Sequence, residues 1–334
     1  MWQDIIRLHL PFQLPIIGNE LVIHGFGVAL VVGFLIAVQV AKFLARRSKL
    51  DPEVFVNAAL IALFTGILGA RMSHVLENWS DFSDPRKGIF GNIGAMLNIG
   101  SGGLTYYGGF LLAFPTLVIY ARMKKVPLRL GMDIIAPCLM IGLGFGRIGC
   151  FLNGCCYGAQ CNTPWAVTFP YNSYAYDDEY AQKEVNPPDD LKEVAPDNSV
   201  RLRSKDELQK EAKSIGDDSL LKLANQQRSL PVHPAQLYSF FTAILLALFC
   251  IAYFTVPHVP GHVFAAMMVL EGISRYTLEL LRVEPAVIGR MSLSMVLGIA
   301  MVAMGLALWY TFSKMGGRTD ALIESLPTLT PAAA

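Results

Sequence analysis

An apolar run that opens near Met132 closes as Gly146-Arg147-Ile148-Gly149-Cys150-Phe151-Leu152-Asn153-Gly154-Cys155-Cys156-Tyr157-Gly158. It stays apolar for roughly 20 residues, the length that crosses a hydrocarbon core, and then ends on a guanidinium, an amide and clustered thiols. Gly146, Gly149, Gly154 and Gly158 let backbones approach closely. Arg147 offers a planar fork of donors suited to phosphate, and Asn153 adds a neutral donor and acceptor.

The rest of the chain reads as a frame for that cluster. Of 334 residues, 53% are hydrophobic and 16% charged, with a mean hydropathy of +0.44, a membrane composition rather than a soluble one. Seven stretches are long and apolar enough to span: Val22 to Leu44, Val54 to Leu76, Leu104 to Ala121, Met132 to Leu152, Gln236 to Thr255, Val263 to Leu281 and Met291 to Phe312. The expected fold is an all-α polytopic membrane protein of about seven transmembrane helices, with a small external head between spans four and five. Residues 1–156 carry spans one to four, 157–232 the head, 233–313 spans five to seven, and 314–334 a tail.

Charge placement supports this division. Positions 171–230 hold 22 of the 53 Lys, Arg, Asp and Glu residues, which marks an aqueous segment with too few apolar residues for a core of its own. Lys205 to Leu223 reads as one amphipathic helix. Arg46, Arg47 and Lys49, then Arg122, Lys124, Lys125 and Arg129, then Lys314 and Arg318 all fall on one side. By the excess of positive charge in cytoplasmic loops, that side is the cytoplasm, so the N-terminus and the head lie outside and the C-terminus inside. Met1 to Leu10 reads as a short interfacial helix, without the pattern of a signal peptide. The tail after Gly317 reads as unstructured. Net charge of +1 gives no reason to expect a nucleic-acid partner.

Ionisable residues inside spans are costly and usually face a cavity or a partner. Glu271, Arg275, Glu279 and Arg282 lie at helical spacing in span six and form one polar stripe. The stripe is either a set of intrahelical pairs or the wall of a wet cavity, and four such groups favour the cavity. Arg71 in span two either pairs with Glu77, anchors the interface or binds ligand. Gly100-Ser101-Gly102-Gly103 and Gly108-Gly109 either pack helices closely or leave a gap for an acyl chain. His233-Pro234-Ala235-Gln236-Leu237-Tyr238 opens span five as an anchor or as cavity lining. His24 and His74 stand alone and read as structural. Cys150, Cys155, Cys156 and Cys161 fall within twelve residues, a density compatible with disulfides, metal or thiol chemistry.

Taken together, Gly146-Arg147-Ile148-Gly149-x-Phe151-x-Asn153-Gly154, His233-Pro234-x-Gln236-Leu237-Tyr238 and Arg275-Tyr276-x-x-Glu279-x-x-Arg282-x-x-Pro285 resemble the signatures of the phosphatidylglycerol:prolipoprotein diacylglyceryl transferase family of bacterial inner-membrane enzymes. The resemblance covers roughly Val22 to Phe312. It implies transfer of a diacylglyceryl group from phosphatidylglycerol to a prolipoprotein cysteine, with no cofactor and no metal, in a monomer surrounded by membrane lipids. It implies Arg147, Arg275, Glu279 and Arg282 as catalytic groups, and leaves Tyr107 or an arginine-linked group to help deprotonate the substrate. Arg71, Asn153, Gly103, Gly108, Gly109, Gln236 and Tyr238 would then bind substrate.

The chain departs from the family at its signature. Cys150 stands where the family usually has Asn and Cys155 where it usually has Glu, while Tyr107 replaces a frequent His and Phe26 a Tyr. Either Cys155 substitutes for the carboxylate, or Cys150, Cys155, Cys156 and Cys161 pair as disulfides in an oxidising compartment. Two other functions fit the same residues less closely: a membrane thiol oxidoreductase using the four cysteines and a quinone, and a phospholipid-binding relative without turnover.

Overall fold

The computed structural model describes residues 4–14, 18–83, 88–97, 105–194, 200–282, 287, 289 and 291–326. Strands β1 (Asp4–Leu14) and β2 (Gly18–His24) precede α1 (Gly25–Arg47), α2 (Pro52–Glu77), α3 (Trp79–Phe82), α4 (Gly88–Leu97), α5 (Tyr106–Met123) and α6 (Leu128–Asn153). The head follows, with α7 (Tyr174–Ala181), β3 (Lys192–Val194), β4 (Val200–Leu202), α8 (Lys205–Ile215) and α9 (Ser219–Gln226). The chain then returns through α10 (Ala235–Thr255), α11 (His262–Glu279), α12 (Leu293–Met315) and α13 (Thr319–Ser325).

Helix α6 is the centre of the bundle and packs on α1, α10 and α11; α2 pairs with α5 beside α1, and α12 pairs with α11. The core joins Leu44 and Ala45 of α1, Ile134, Met140 and Ile141 of α6, Ala247 and Cys250 of α10, and Val263 and Met267 of α11. Large apolar side chains such as Phe64, Leu111 and Leu245 are instead exposed around the bundle, as expected where the solvent is lipid. Among the described residues, five helices, α1, α2, α6, α10 and α12, are long and apolar enough to cross a membrane. The other two expected spans differ: the apolar part of α5 is shorter, and α11 carries Glu271, Arg275 and Glu279.

Both ends of α11 are tied to other elements. Asp133 of α6 is fully buried and accepts hydrogen bonds from Gly261 N at 2.6 Å and Phe264 N at 2.9 Å, with His258 Nε2 at 3.3 Å. Its carboxylate therefore satisfies backbone donors that the start of a helix leaves open. Glu279 at the other end is bound to α12, as described below.

The structure corrects the reading of the termini and the head. Residues of the expected interfacial helix Met1 to Leu10 that are described form β1, which pairs antiparallel with β2. Leu8, Leu10, Phe12 and Leu14 alternate with polar or proline positions, and Pro11, which has no N–H to donate, disfavours carrying a short helix onward. The head does have its own core, in which Tyr171, Tyr176, Leu191, Leu208 and Ala224 are buried. The single helix expected over Lys205 to Leu223 is broken at Gly216, which takes φ +75. Before the break, Ser204 and Glu207 form a reciprocal capping box that starts α8. After Gly317 the tail is not unstructured as far as Leu326, because α13 docks through Thr319, whose N and Oγ1 both donate to His258 O at 2.9 Å.

Candidate active site

The glycine that ends α6 organises the site. Gly154 adopts a left-handed conformation, φ +76 and ψ 23, and Gly154 N donates to Phe151 O at 3.3 Å while Cys155 N donates to Cys150 O at 3.1 Å. This closing turn folds the chain back over the last turn of the helix. The sulfurs of Cys150, Cys155 and Cys156 are thereby brought within 4.8 Å of one another. Cys156 itself has φ 61, a conformation that a residue with a Cβ holds only at a cost of about 1 kcal/mol or more. Gln236, fully buried at the start of α10, fixes the turn by donating from Nε2 to Cys155 O at 2.7 Å.

Beside this turn lies a narrow crevice walled by Arg147 of α6, Cys156, Ser239 of α10, and Glu271, Ser274, Arg275 and Arg282 on or just beyond α11. The guanidinium groups expected to converge from spans four and six thus do so. Among the described residues, Arg275 Nε is buried without a hydrogen-bond partner, a state that costs free energy and suits a group awaiting an anion. Glu279 is 4% exposed; one carboxylate oxygen faces Arg282 Nη1 at 3.4 Å and the other accepts from Ser292 Oγ at 2.8 Å.

The thiols are electrostatically unequal. Hydrogen bonding with Cys150 and Cys155, then the guanidinium groups of Arg282 and Arg147, hold the Cys156 thiol below its ordinary range against the opposing effect of burial. Hydrogen bonds to Cys150 and Cys156 push Cys155 the other way.

Several expected site residues lie elsewhere. The disulfides among Cys150, Cys155, Cys156 and Cys161 are not formed, since all of these cysteines are free; Cys161 stands apart, with Sγ 3.4 Å from Thr163 Oγ1. Tyr107 is 51% exposed at the start of α5 and does not line the crevice. Gly108 and Gly109 belong to the close-packing alternative: a Cβ at Gly108 would strike Ser73 and, at 2.5 Å, Gly69 O, and one at Gly109 would sit 2.9 Å from Gly66 O. They fit α5 against α2. Arg71 does not pair with Glu77; its Nε donates to Met96 O and its Nη2 to Ala95 O, both at 2.8 Å, so it holds the end of α4. Tyr238 accepts from Trp165 Nε1 at 2.6 Å and faces His233 Nδ1 at 3.3 Å, which ties α10 to the head. Asn153 is half-buried as the last residue of α6, and Gly103 lies outside the described residues.

Sequence reasoning missed Ser292, Ser239, Ser274 and Trp165. Ser292 carried a faint signal, because a serine just before an apolar run is a helix cap, and here it does accept from Met295 N at 3.3 Å.

A family model for prolipoprotein diacylglyceryl transferase matches residues 13–311. Proteins named phosphatidylglycerol--prolipoprotein diacylglyceryl transferase are similar to this chain. The one from Clostridium tetani is 24% identical over 79% of this chain and 82% of its own length. For the one from Finegoldia magna the figures are 24%, 89% and 94%. The Rhodopirellula baltica protein is 35% identical over 49% of this chain, which covers only 33% of that longer protein. With the match running over nearly the whole membrane bundle and the converging guanidinium groups on two of its helices, the chain belongs to the prolipoprotein diacylglyceryl transferase family.

Proposed function

We propose that the protein transfers the diacylglyceryl group of phosphatidylglycerol to the cysteine thiol of a prolipoprotein, forming a thioether and releasing glycerol phosphate. The observation that carries this is the crevice in which Arg147 from α6 meets Arg275 and Arg282 from α11. A substrate sulfur attacks the glyceryl carbon, the carbon–oxygen bond breaks, and its electron pair goes to the departing phosphate. Guanidinium groups directed at that phosphate bind the headgroup and stabilise the charge that grows on it. Glu279, held by Ser292, orients Arg282 for this task.

In this reading the enzyme sits in the bacterial inner membrane as a monomer, with α5 and α11 crossing as well as the five longer apolar helices. The head and N-terminus face outward and α13 lies on the cytoplasmic side, consistent with the basic residues around Arg46, Lys124 and Lys314. The head, tied to α10 by Trp165 and Tyr238, guides the precursor toward the crevice.

Reconstitution with phosphatidylglycerol and a peptide bearing a lipobox cysteine tests the proposal. Lipidated peptide and glycerol phosphate should appear in equal amounts. Absence of both under reducing and oxidising conditions would overturn it.

A further inference from the structure

The geometry points to a zinc site made by Cys150, Cys155 and Cys156 whose fourth position takes the substrate thiol. The inference rests on the transferase reading. It departs from the resemblance, which calls for no metal.

Three features support it. First, the sulfurs lie within 4.8 Å of one another, and a Zn2+ ion with bonds of about 2.3 Å holds tetrahedral sulfurs about 3.8 Å apart. Small rotations of three half-buried side chains close that gap. Secondly, the trio is built by the backbone rather than gathered by chance: Gly154 and Cys156 both take left-handed conformations, and Gln236 fastens the carbonyl of Cys155. Thirdly, Cys156 lines the same crevice as Arg147 and Arg282. Three thiolates and one Zn2+ carry a net negative charge, which neighbouring guanidinium groups offset.

The chemistry answers a need this chain creates. The incoming thiol must be ionised before it attacks, and Tyr107, expected to help with this, is exposed away from the crevice. A thiol that coordinates zinc is deprotonated outright, and a site with three protein ligands leaves one position open for it. In the proposed step the substrate sulfur bonds to zinc and its proton passes to Glu271, which lines the crevice. That sulfur then attacks the glyceryl carbon, the carbon–oxygen bond breaks toward the phosphate, and the proton returns to the departing phosphate oxygen. The thioether product is a poor ligand and leaves.

Metal binding is read directly on the full-length reduced protein in detergent, using Co2+ as the probe and Zn2+ as the competitor. The expected result is a single Co2+ per chain with thiolate charge-transfer absorption and tetrahedral d–d bands, displaced by Zn2+. A lipobox peptide should shift the d–d bands, and the same peptide with serine for cysteine should not. C150S, C155S and C156S should each abolish the charge-transfer band, with circular dichroism checking that the fold persists. No stoichiometric metal on the wild-type protein, or metal retained by the triple serine variant, overturns the site. A band that ignores the peptide thiol overturns the substrate-binding role. Full glycerol phosphate release by the metal-free protein also overturns it while leaving the transferase reading intact. If neither form releases glycerol phosphate, the transferase reading falls and the peptide-dependent spectrum still decides the site.

Discussion

Ser292 Oγ donates to Glu279 Oε1 at 2.8 Å, while Glu279 Oε2 faces Arg282 Nη1 at 3.4 Å, so the residue that caps α12 also anchors the carboxylate beside the crevice. Ser292→Ala should therefore weaken catalysis without touching any substrate contact. Loss of a hydrogen bond to a charged group costs about 1.5–3 kcal/mol, or about 10–100-fold in kcat/KM. Glycerol phosphate release measures it, and Ser292→Thr, which keeps the donor, should restore most of the rate.

Arg147 and Arg275 should not tolerate lysine. A lysine keeps the charge but loses the planar fork, and removing one well-aimed donor from a developing anion typically costs about 100- to 1,000-fold in kcat. R147K and R275K are expected to fall in that range. The exposed Arg318, which pairs with Asp320 at 3.1 Å, serves as the control, with R318K close to wild type.

Gly108 and Gly142 should respond oppositely to alanine. At Gly108 the new Cβ meets Ser73 and Gly69 O, so α5 must back away from α2, and overpacking of this kind costs about 1–3 kcal/mol. At Gly142 no atom of the described residues would lie within 4 Å of the new Cβ, and alanine in a helix is worth up to about 1 kcal/mol over glycine. Thermal unfolding in detergent should show G108A melting lower than wild type and G142A no lower.

Asp177, at the start of α7 in the head, should make the head more stable in mild acid. Burial, then the charge of Asp178, pushes its carboxyl from 3.8 up to about 6. Folding therefore takes up a proton between those values, so stability gains as pH falls through 6 and levels off below 3.8. Above 6 the head carries the charge at a cost. Limited proteolysis should slow as pH drops from 7 to 5, and D177N should be more resistant at pH 7 with a flatter profile.

The bundle was legible because long apolar runs have few alternatives in lipid, and the Glu271–Arg282 stripe because charges inside such runs demand a cavity. The convergence of Arg147 with Arg275 and Arg282 followed from those two facts. Contacts between residues far apart in sequence were not legible. Ser292 reaches Glu279 across a connection, and Trp165 reaches Tyr238 across the whole head. The head core escaped notice because Tyr171, Tyr176, Leu191, Leu208 and Ala224 are scattered without a helical or strand period. Gly108 and Gly109 show why small residues are ambiguous: the same pattern fits helix packing and ligand approach, and only coordinates separate them. Tyr107 was assigned by position in a motif, which does not fix where a side chain ends up.

The two fastenings of α11, Asp133 at Gly261 and Phe264 and Ser292 at Glu279, make it a beam clamped at both supports. Such a beam can twist a little about its axis but cannot slide past its neighbours. Arg275 therefore keeps a constant position relative to Arg147 on α6, and on the transferase reading a phospholipid must bring its headgroup to that crevice rather than wait for the helix to shift toward it.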